Sequence, residues 1–86
     1  MEARVASWGE AKEIAEREVE RRLQGKIVDE WVDTVKLEPR WAGDIWVVRL
    51  KVIVRHGALS KKGYLASMKI DPYTGEVSEF QAKPAR

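Results

Sequence analysis

The sequence predicts an α+β fold, in which one N-terminal helix packs across one face of an antiparallel sheet of about four strands in meander order. Apolar residues recur at helical spacing up to Gly25 and at alternate positions after it, which indicates a helix followed by strands. Proline and glycine separate the alternating segments, as in sheets with short connections. The 86 residues suffice for a single domain with a thin core, taken as residues 1–86.

The helix is predicted over about residues 7–24, with a signal at each end. Ser7 followed three residues later by Glu10 fits a capping box, and Gly25 suits the left-handed conformation that ends a helix. Between these signals one apolar stripe consists of Ala11, Ile14, Ala15, Val19 and Leu23. The remaining helical positions carry charges of both signs, which is typical of a solvated surface.

The sheet is predicted over about residues 32–81, and its second strand, at about residues 44–55, has the clearest pattern. The apolar set of that strand, which predicts its core face, is Trp46, Val48, Leu50, Val52 and Val54. A first strand is predicted at about residues 32–38, where one parity carries Trp31, Asp33, Val35 and Leu37. The helix stripe is expected to pack on Trp46, Val48, Leu50, Val52, Met68 and Ile70.

The rest of the sheet follows a polar segment, "HGALSKKG", which is predicted to be a loop. A third strand is predicted at about residues 64–71, with its inward positions at Tyr64, Ala66, Met68 and Ile70. A fourth strand is predicted at about residues 76–81. Residues 82–86, "AKPAR", are expected to form a frayed tail.

The segment "DPYTG" concentrates the residues that most resemble a catalytic site, yet its order is that of a tight turn. Aspartate comes first, proline with its preset φ follows, and glycine stands where a positive φ is needed. The Asp71 carboxylate is expected to accept the backbone N–H groups of Tyr73 and Thr74. We therefore predict a hairpin connection here and no active site.

The composition excludes several classes of chemistry. Without cysteine the chain has no disulfide, no zinc–thiolate site and no thiol nucleophile, and a single histidine, His56, makes a metal site unexpected. The serines lack a histidine-assisted arrangement, and no phosphate-binding glycine loop is present. No apolar run is long enough to cross a bilayer and no secretion signal is evident, so a cytoplasmic, noncatalytic protein without cofactor or small-molecule substrate is expected.

The layout of a helix, a meander and the segment "YLASMKIDPYTGEVSEF" resembles the PepSY-type small domain. In that family the last hairpin commonly carries an aspartate, a turn with "TG" and a following strand. Together with "DIWVVRLKVIVRHG", the same segment also resembles the O-type accessory proteins of gas vesicles. The resemblance implies a noncatalytic protein that acts by binding a partner, and neither family supplies catalytic residues.

The first functional hypothesis is an interaction or assembly module that uses the sheet face without a helix. Strand parity places four apolar residues on that face: Ile45, Val47, Ile53 and Leu65. A homodimer is the simplest partner, since a two-fold interface needs only one self-complementary patch. The alternative is that these are scattered exposed apolar residues of a twisted sheet.

The second hypothesis is nucleic-acid binding. Residues 31–86 carry ten Lys or Arg against six Asp or Glu, and no acid lies between Asp44 and Asp71. The predicted contacts are Lys36, Arg49, Lys51, Arg55 and Lys69 on the sheet, Lys61 and Lys62 at the loop, and Trp41 as a stacking platform. The alternative assigns these cations to solubility and edge protection, because 35% charged residues without asparagine resemble proteins from hot environments.

Overall fold

The helix and strands follow one another along the chain as an α+β meander, which confirms the predicted fold class. The computed structural model describes residues 5–41 and 43–85. Helix α1 (Trp8–Arg22) precedes strands β1 (Lys26–Glu38), β2 (Ile45–His56), β3 (Ser60–Ile70) and β4 (Val77–Pro84). All four strands pair antiparallel in one sheet with the order β1-β2-β3-β4.

Helix α1 begins where the sequence predicts but ends earlier, at Arg22, and an extended Leu23, not a left-handed Gly25, terminates it. At its start the Glu10 backbone N–H donates to Ser7 Oγ at 3.3 Å, and the Ser7 hydroxyl donates to the Glu10 carboxylate at 3.3 Å. Gly25, just beyond the helix, has a φ of +151°, and a Cβ there would lie 2.6 Å from Val54 Cγ1. Glycine is therefore needed both for this backbone conformation and for the close approach of the chain to β2.

The core lies between one stripe of α1 and the central strands β2 and β3. Ala11, Ala15 and Val19 are fully buried, and their small side chains let the helix lie close to the sheet. The predicted stripe packs against the predicted sheet residues, a group that is buried together: Trp46, Val48, Leu50, Val52, Met68 and Ile70. The predicted packing is thus confirmed, with Ile14 and Leu23 at its margin.

The segment before the helix is tied to the sheet by the buried Trp46. Its indole N–H donates to the Val5 carbonyl at 2.9 Å, and the Val5 N–H donates to the Pro72 carbonyl at 2.9 Å. Val5 is itself buried. These two bonds hold the start of α1 against the beginning of β2 and the β3–β4 connection.

Strand β1 corrects the sequence prediction in its length and in its parity. It begins at Lys26 and not near residue 32, and its register against β2 shifts once between Ile27 and Asp29 and again between Val32 and Thr34. At each bulge one residue leaves the ladder, so the side chains on the two sides of it change face. Trp31, expected to share a face with Val35, consequently lies opposite Lys51 on the other side of the sheet.

Strands β3 and β4 are also longer than predicted. Residues 60–63 of the expected loop belong to β3, and β4 continues to Pro84. The expectation of a frayed tail is wrong for residues 82–84, because Ala82 pairs with Ala66 and the Ala85 N–H donates to the Gly63 carbonyl at 2.8 Å. The last residue of the expected tail, Arg86, lies outside the described residues.

The β3–β4 connection confirms the predicted turn. The Asp71 carboxylate accepts the backbone N–H of Tyr73 at 2.8 Å and that of Thr74 at 3.2 Å. The Gly75 N–H donates to the Asp71 carbonyl at 2.8 Å, and Gly75 has a φ of +76°. The aspartate therefore serves the turn, as its position in "DPYTG" predicts.

Candidate interaction surface

The sheet has one face under α1 and an opposite face, here called the open face, that the helix does not cover. Side chains that are directly paired across neighbouring strands share a face. Since the even-numbered residues of β2 from Trp46 to Val54 form the core, the odd-numbered ones and their partners form the open face. The register then arranges this face in rows that run across the strands.

Two neighbouring rows define the centre of the open face. The first, the aromatic row, consists of Trp31, Lys51, Leu65 and Lys83, one residue from each strand. The second, the polar row, consists of Thr34, Arg49, Ser67 and Gln81. Adjacent rows on one face lie two residues apart along a strand, or about 6.8 Å.

The four apolar residues predicted for this face lie on it, but they are not equally accessible. Leu65 is 50% exposed, and Ile45 and Ile53 are half-buried. Val47 is only 8% exposed, between its cross-strand neighbours Lys36 and Lys69. Val47 is therefore removed from the set that can contact a partner, because its own chain already covers it.

The predicted cations divide between the two faces. Lys36, Arg49, Lys51, Arg55, Lys61 and Lys69 lie on the open face. Lys62 does not, because it pairs with Val54 on the helix side, where its Nζ lies 5.5 Å from the centroid of the Tyr64 ring. Trp41 is fully exposed in the β1–β2 connection and belongs to neither row.

Ion pairing distinguishes one end of the open face from the rest of it. Lys36 Nζ lies 3.8 Å from Glu38, and Lys69 Nζ lies 3.0 Å from Glu79. Within residues 5–41 and 43–85, no carboxylate lies within 4 Å of the charged group of Arg49, Lys51 or Lys83. Arg55 and Lys61, toward the β2–β3 hairpin, have no such carboxylate within these residues either, so the uncompensated positive charge extends from the two rows to the hairpin end of the open face.

Trp31 is the residue of this surface that sequence reasoning missed. Its side chain is 47% exposed, and Lys51 Nζ lies 5.7 Å from the centroid of its ring, within cation–π distance. Strict alternation assigns Trp31 to the face of Val35, and only the bulge at Asp33 reverses that. Sequence reasoning also missed Lys83 and Gln81. The predicted fourth strand ended at about residue 81, before Lys83, and Gln81 was given no role.

The polar row forms the floor of a shallow trough. A depression of about 330 Å³ is lined by Asp33, Arg49, Leu65, Ser67, Gln81 and Lys83, together with the adjoining strand residues Leu50 and Ala66. A second hollow of about 200 Å³ adjoins it at Arg49, Ser67 and Gln81 and extends toward Lys69 and Glu79. The short Ser67 side chain between the longer Arg49 and Gln81 accounts for the depth of the trough.

A pair of carboxyl groups lies on the helix side of the sheet. Glu30 of β1 stands opposite Val52 and interacts with Glu16 of α1. The pKa of Glu30 is raised to about 7, first by burial and then by its hydrogen bond with Glu16 and the charge of that residue. The same hydrogen bond, with the help of Lys12, lowers the pKa of Glu16 from its ordinary value. The pair therefore holds a proton up to near-neutral pH.

Neither a metal centre nor a bilayer-spanning helix is found in the part of the chain that the structure describes. No three His, Cys, Asp or Glu side chains there are grouped so as to hold a metal ion. Of the described helical residues, none belong to a helix with the length and apolar character needed to cross a membrane. Comparison of the chain with models of protein families, with curated proteins and with solved structures gave no match.

Proposed function

We propose that this protein is a noncatalytic interaction module that binds its partner through the open face. The observation that carries the proposal is the exposure of Trp31 and Leu65 in one row, on either side of Lys51, on the sheet face that α1 does not cover. Large exposed apolar residues in the centre of a surface are typical of protein contacts, where aromatic residues contribute most. The proposal includes the absence of catalysis, which the shallow form of the trough supports.

A second copy of the chain is the first candidate partner. Strand β2 has 12 residues, or about 40 Å, and four strands with their side chains span roughly 19 Å, so the face offers about 700 Å². A standard interface takes about 800 Å² from each partner, so a dimer would use nearly the whole face. A two-fold axis along the strands lays β1, with Asp29, over the other copy's β4, with Lys83 one row away, which favours that arrangement.

Sedimentation at micromolar concentration tests the dimer with a matched pair of variants. Leu65→Asp places a charge in the centre of the open face, whereas Leu59→Asp makes the same change at the fully exposed tip of the β2–β3 hairpin. We expect the parent and the Leu59 variant to sediment at twice the chain mass of 9.9 kDa and the Leu65 variant to sediment as a monomer. A monomeric parent protein at every concentration would refute self-association.

Nucleic-acid binding is the second candidate function, and Trp31 is the observation that favours it. Sheet surfaces that bind single strands combine cations with aromatic rings on which bases stack. Arg49, Lys51 and Lys83 supply cations with no carboxylate of the described chain within 4 Å, and Trp31 supplies the ring. The aromatic row therefore supports this function more strongly than the sequence pattern, in which aliphatic residues alone separate the cations.

A binding titration against DNA and RNA, single- and double-stranded, at two salt concentrations tests this candidate. Phosphate contacts predict that affinity falls as salt rises. Arg49→Ala should weaken binding, whereas Arg17→Ala, an equal change of charge on the exposed side of α1, should not. If none of the four nucleic acids binds at low salt, this candidate is refuted and the protein–protein form of the proposal remains.

A further inference from the structure

We infer that the open face binds single-stranded nucleic acid, with an unpaired base stacked on Trp31 and a backbone phosphate in the trough between Arg49 and Lys83. This inference rests on the nucleic-acid form of the proposed function and assigns its ligand and its contacts. It is carried by the trough, by the exposed ring beside it and by the width of the sheet.

The trough presents the donor groups that an oxyanion requires. Arg49, Ser67, Gln81 and Lys83 all line it, and their side chains carry a guanidinium, a hydroxyl, an amide and an ammonium group. Arginine gives a fixed fork of N–H donors that matches a phosphate, and lysine adds a point charge. Hydroxyl and amide groups are common additional donors to phosphate oxygens. The set is therefore suited to a phosphodiester, which is a permanent anion.

Asp33 lines the same trough and opposes an anion there. It is the residue that leaves the β1 ladder at the second bulge, so its side chain is not fixed by a cross-strand pair. Its carboxylate reduces the attraction of the trough for a phosphate without blocking the donors. Removing this charge should consequently strengthen the binding of a phosphate, which gives a test in the opposite direction to the loss of a cation.

Trp31 lies in the row next to the polar row, at the β1 side of the sheet. Its ring is half exposed, and Lys51 lies over it and keeps a positive charge beside the stacking surface. In a nucleotide one sugar joins the base to its phosphate, so the two contacts must be made by neighbouring groups. Trp31 and Arg49 satisfy this requirement, because they lie on adjacent strands one row apart, or about 8 Å, whereas Lys83 on β4 lies farther from the ring.

The width of the sheet excludes readout of a duplex by the same residues. Arg49 and Ser67 lie on the two central strands, and the backbones of the outer strands are about 14 Å apart. The major groove of B-DNA is about 12 Å wide and admits a helix or a two-stranded ribbon. A four-stranded sheet therefore stays outside the groove, whereas a single strand can lie flat on it.

Fluorescence anisotropy of a labelled oligothymidylate, with the duplex of the same length as comparison, measures the predicted contacts. We expect Trp31→Ala to weaken single-strand binding by about 5- to 100-fold, the usual effect of losing one stacked base. Trp8→Ala, which removes an exposed tryptophan at the start of α1, should leave the affinity unchanged. Trp31→Phe should restore part of the affinity, which separates stacking from a loss of folding.

The salt dependence of single-strand binding tests the predicted phosphate contacts in the trough. Arg49→Ala and Lys83→Ala should each reduce the slope of log K against log salt by about 0.7, the value for one contact with a single strand. Asp33→Asn should tighten binding at low salt. Lys51→Ala should weaken single-strand binding, whereas Lys62→Ala should not, because Lys51 lies over the Trp31 ring on the open face and Lys62 lies over the Tyr64 ring on the helix side.

The outcomes separate this inference from the function on which it rests. If the oligothymidylate binds but the Trp31, Arg49 and Lys83 variants behave like their controls, the inference is overturned while nucleic-acid binding stands. Tighter binding of the duplex than of the single strand would overturn it in the same way. If neither form binds at low salt, the inference and the nucleic-acid candidate both fall, and the protein–protein form is unaffected.

Discussion

Replacing Glu30 with glutamine tests the carboxyl pair that lies between α1 and β1. Glutamine has the shape of a protonated glutamate and still offers an N–H to Glu16, but it cannot ionise. The charged groups that influence Glu30 are Glu16, Lys12 and Glu20, all on the helix. We expect the variant to be more stable than the parent above neutral pH and equally stable in mild acid.

The expected gain in stability above neutral pH follows from the pKa of Glu30, which rises from an ordinary 4.5 to about 7 on folding. A carboxyl group whose pKa is raised by folding contributes its full stability below pH 4.5 and loses it as pH rises to about 7. Glu16, whose pKa is lowered, behaves in the opposite way and loses its contribution as pH falls below its ordinary value. The pair together therefore favours folding most strongly near pH 4.5 to 5.

Screening by solvent limits how much Glu30→Gln changes the free energy of unfolding. The rise in the pKa of Glu30, at about 1.36 kcal/mol for each pH unit, corresponds to about 3 kcal/mol without screening. Glu30 is half-buried on an edge strand, where water screens much of this interaction. We therefore expect Glu30→Gln to raise the free energy of unfolding by about 1 kcal/mol at pH 8, or the melting temperature by about 4–8 °C.

Urea denaturation followed by tryptophan fluorescence, at pH 5 and at pH 8, measures this effect. Glu13→Gln is the matched control, since Glu13 lies on the exposed side of the same helix. The difference between the Glu30 variant and the parent should grow from near zero to about 1 kcal/mol with rising pH, as the charge of the pair develops. A difference that is the same at both pH values would refute the shared proton between α1 and β1.

Three further substitutions test the fold, each by its effect on urea denaturation. Leu50→Ala should lower the free energy of unfolding by about 2–5 kcal/mol, because Leu50 is fully buried in the core, and a loss below about 1 kcal/mol would contradict that packing. Gly25→Ala should destabilise by more than about 1 kcal/mol, since its Cβ would meet Val54 at 2.6 Å; an unchanged midpoint would show that the chain relaxes freely there. Asp71→Ala should cost about 1–2 kcal/mol through the loss of two hydrogen bonds to backbone N–H groups, whereas Glu76→Ala, also in this connection, should cost less.

The central part of the fold was predictable because each sequence pattern there is compatible with only one type of secondary structure. In β2, apolar residues occupy every second position without interruption, and the helix stripe recurs at a single period. Asp, Pro and Gly at fixed positions leave few alternatives for the β3–β4 turn. Residues in the middle of a sheet are constrained on both sides, so local pattern and final position agree.

The edge strands were less predictable for a physical reason. A bulge adds one residue to a strand without a characteristic change in its sequence. The alternation of residues in β1 therefore does not indicate that Trp31 changes face. In β4, Glu79 has a φ of +51° next to the register shift, and Pro84 pairs at the edge, where a missing N–H is tolerated. The candidate surface was therefore predicted in most of its cations but missed in Trp31 and in Lys83.

The bulges of β1 also bear on how this surface can change in evolution. An insertion or deletion of one residue between Ile27 and Thr34 would move or remove a bulge and turn a different set of side chains outward. Such a change alters backbone hydrogen bonds between β1 and β2 and no others of the sheet, because β1 has a neighbouring strand on one side alone. Length variation at this edge can thus exchange the aromatic residue of the open face for an acidic or aliphatic one while the core sequence stays the same.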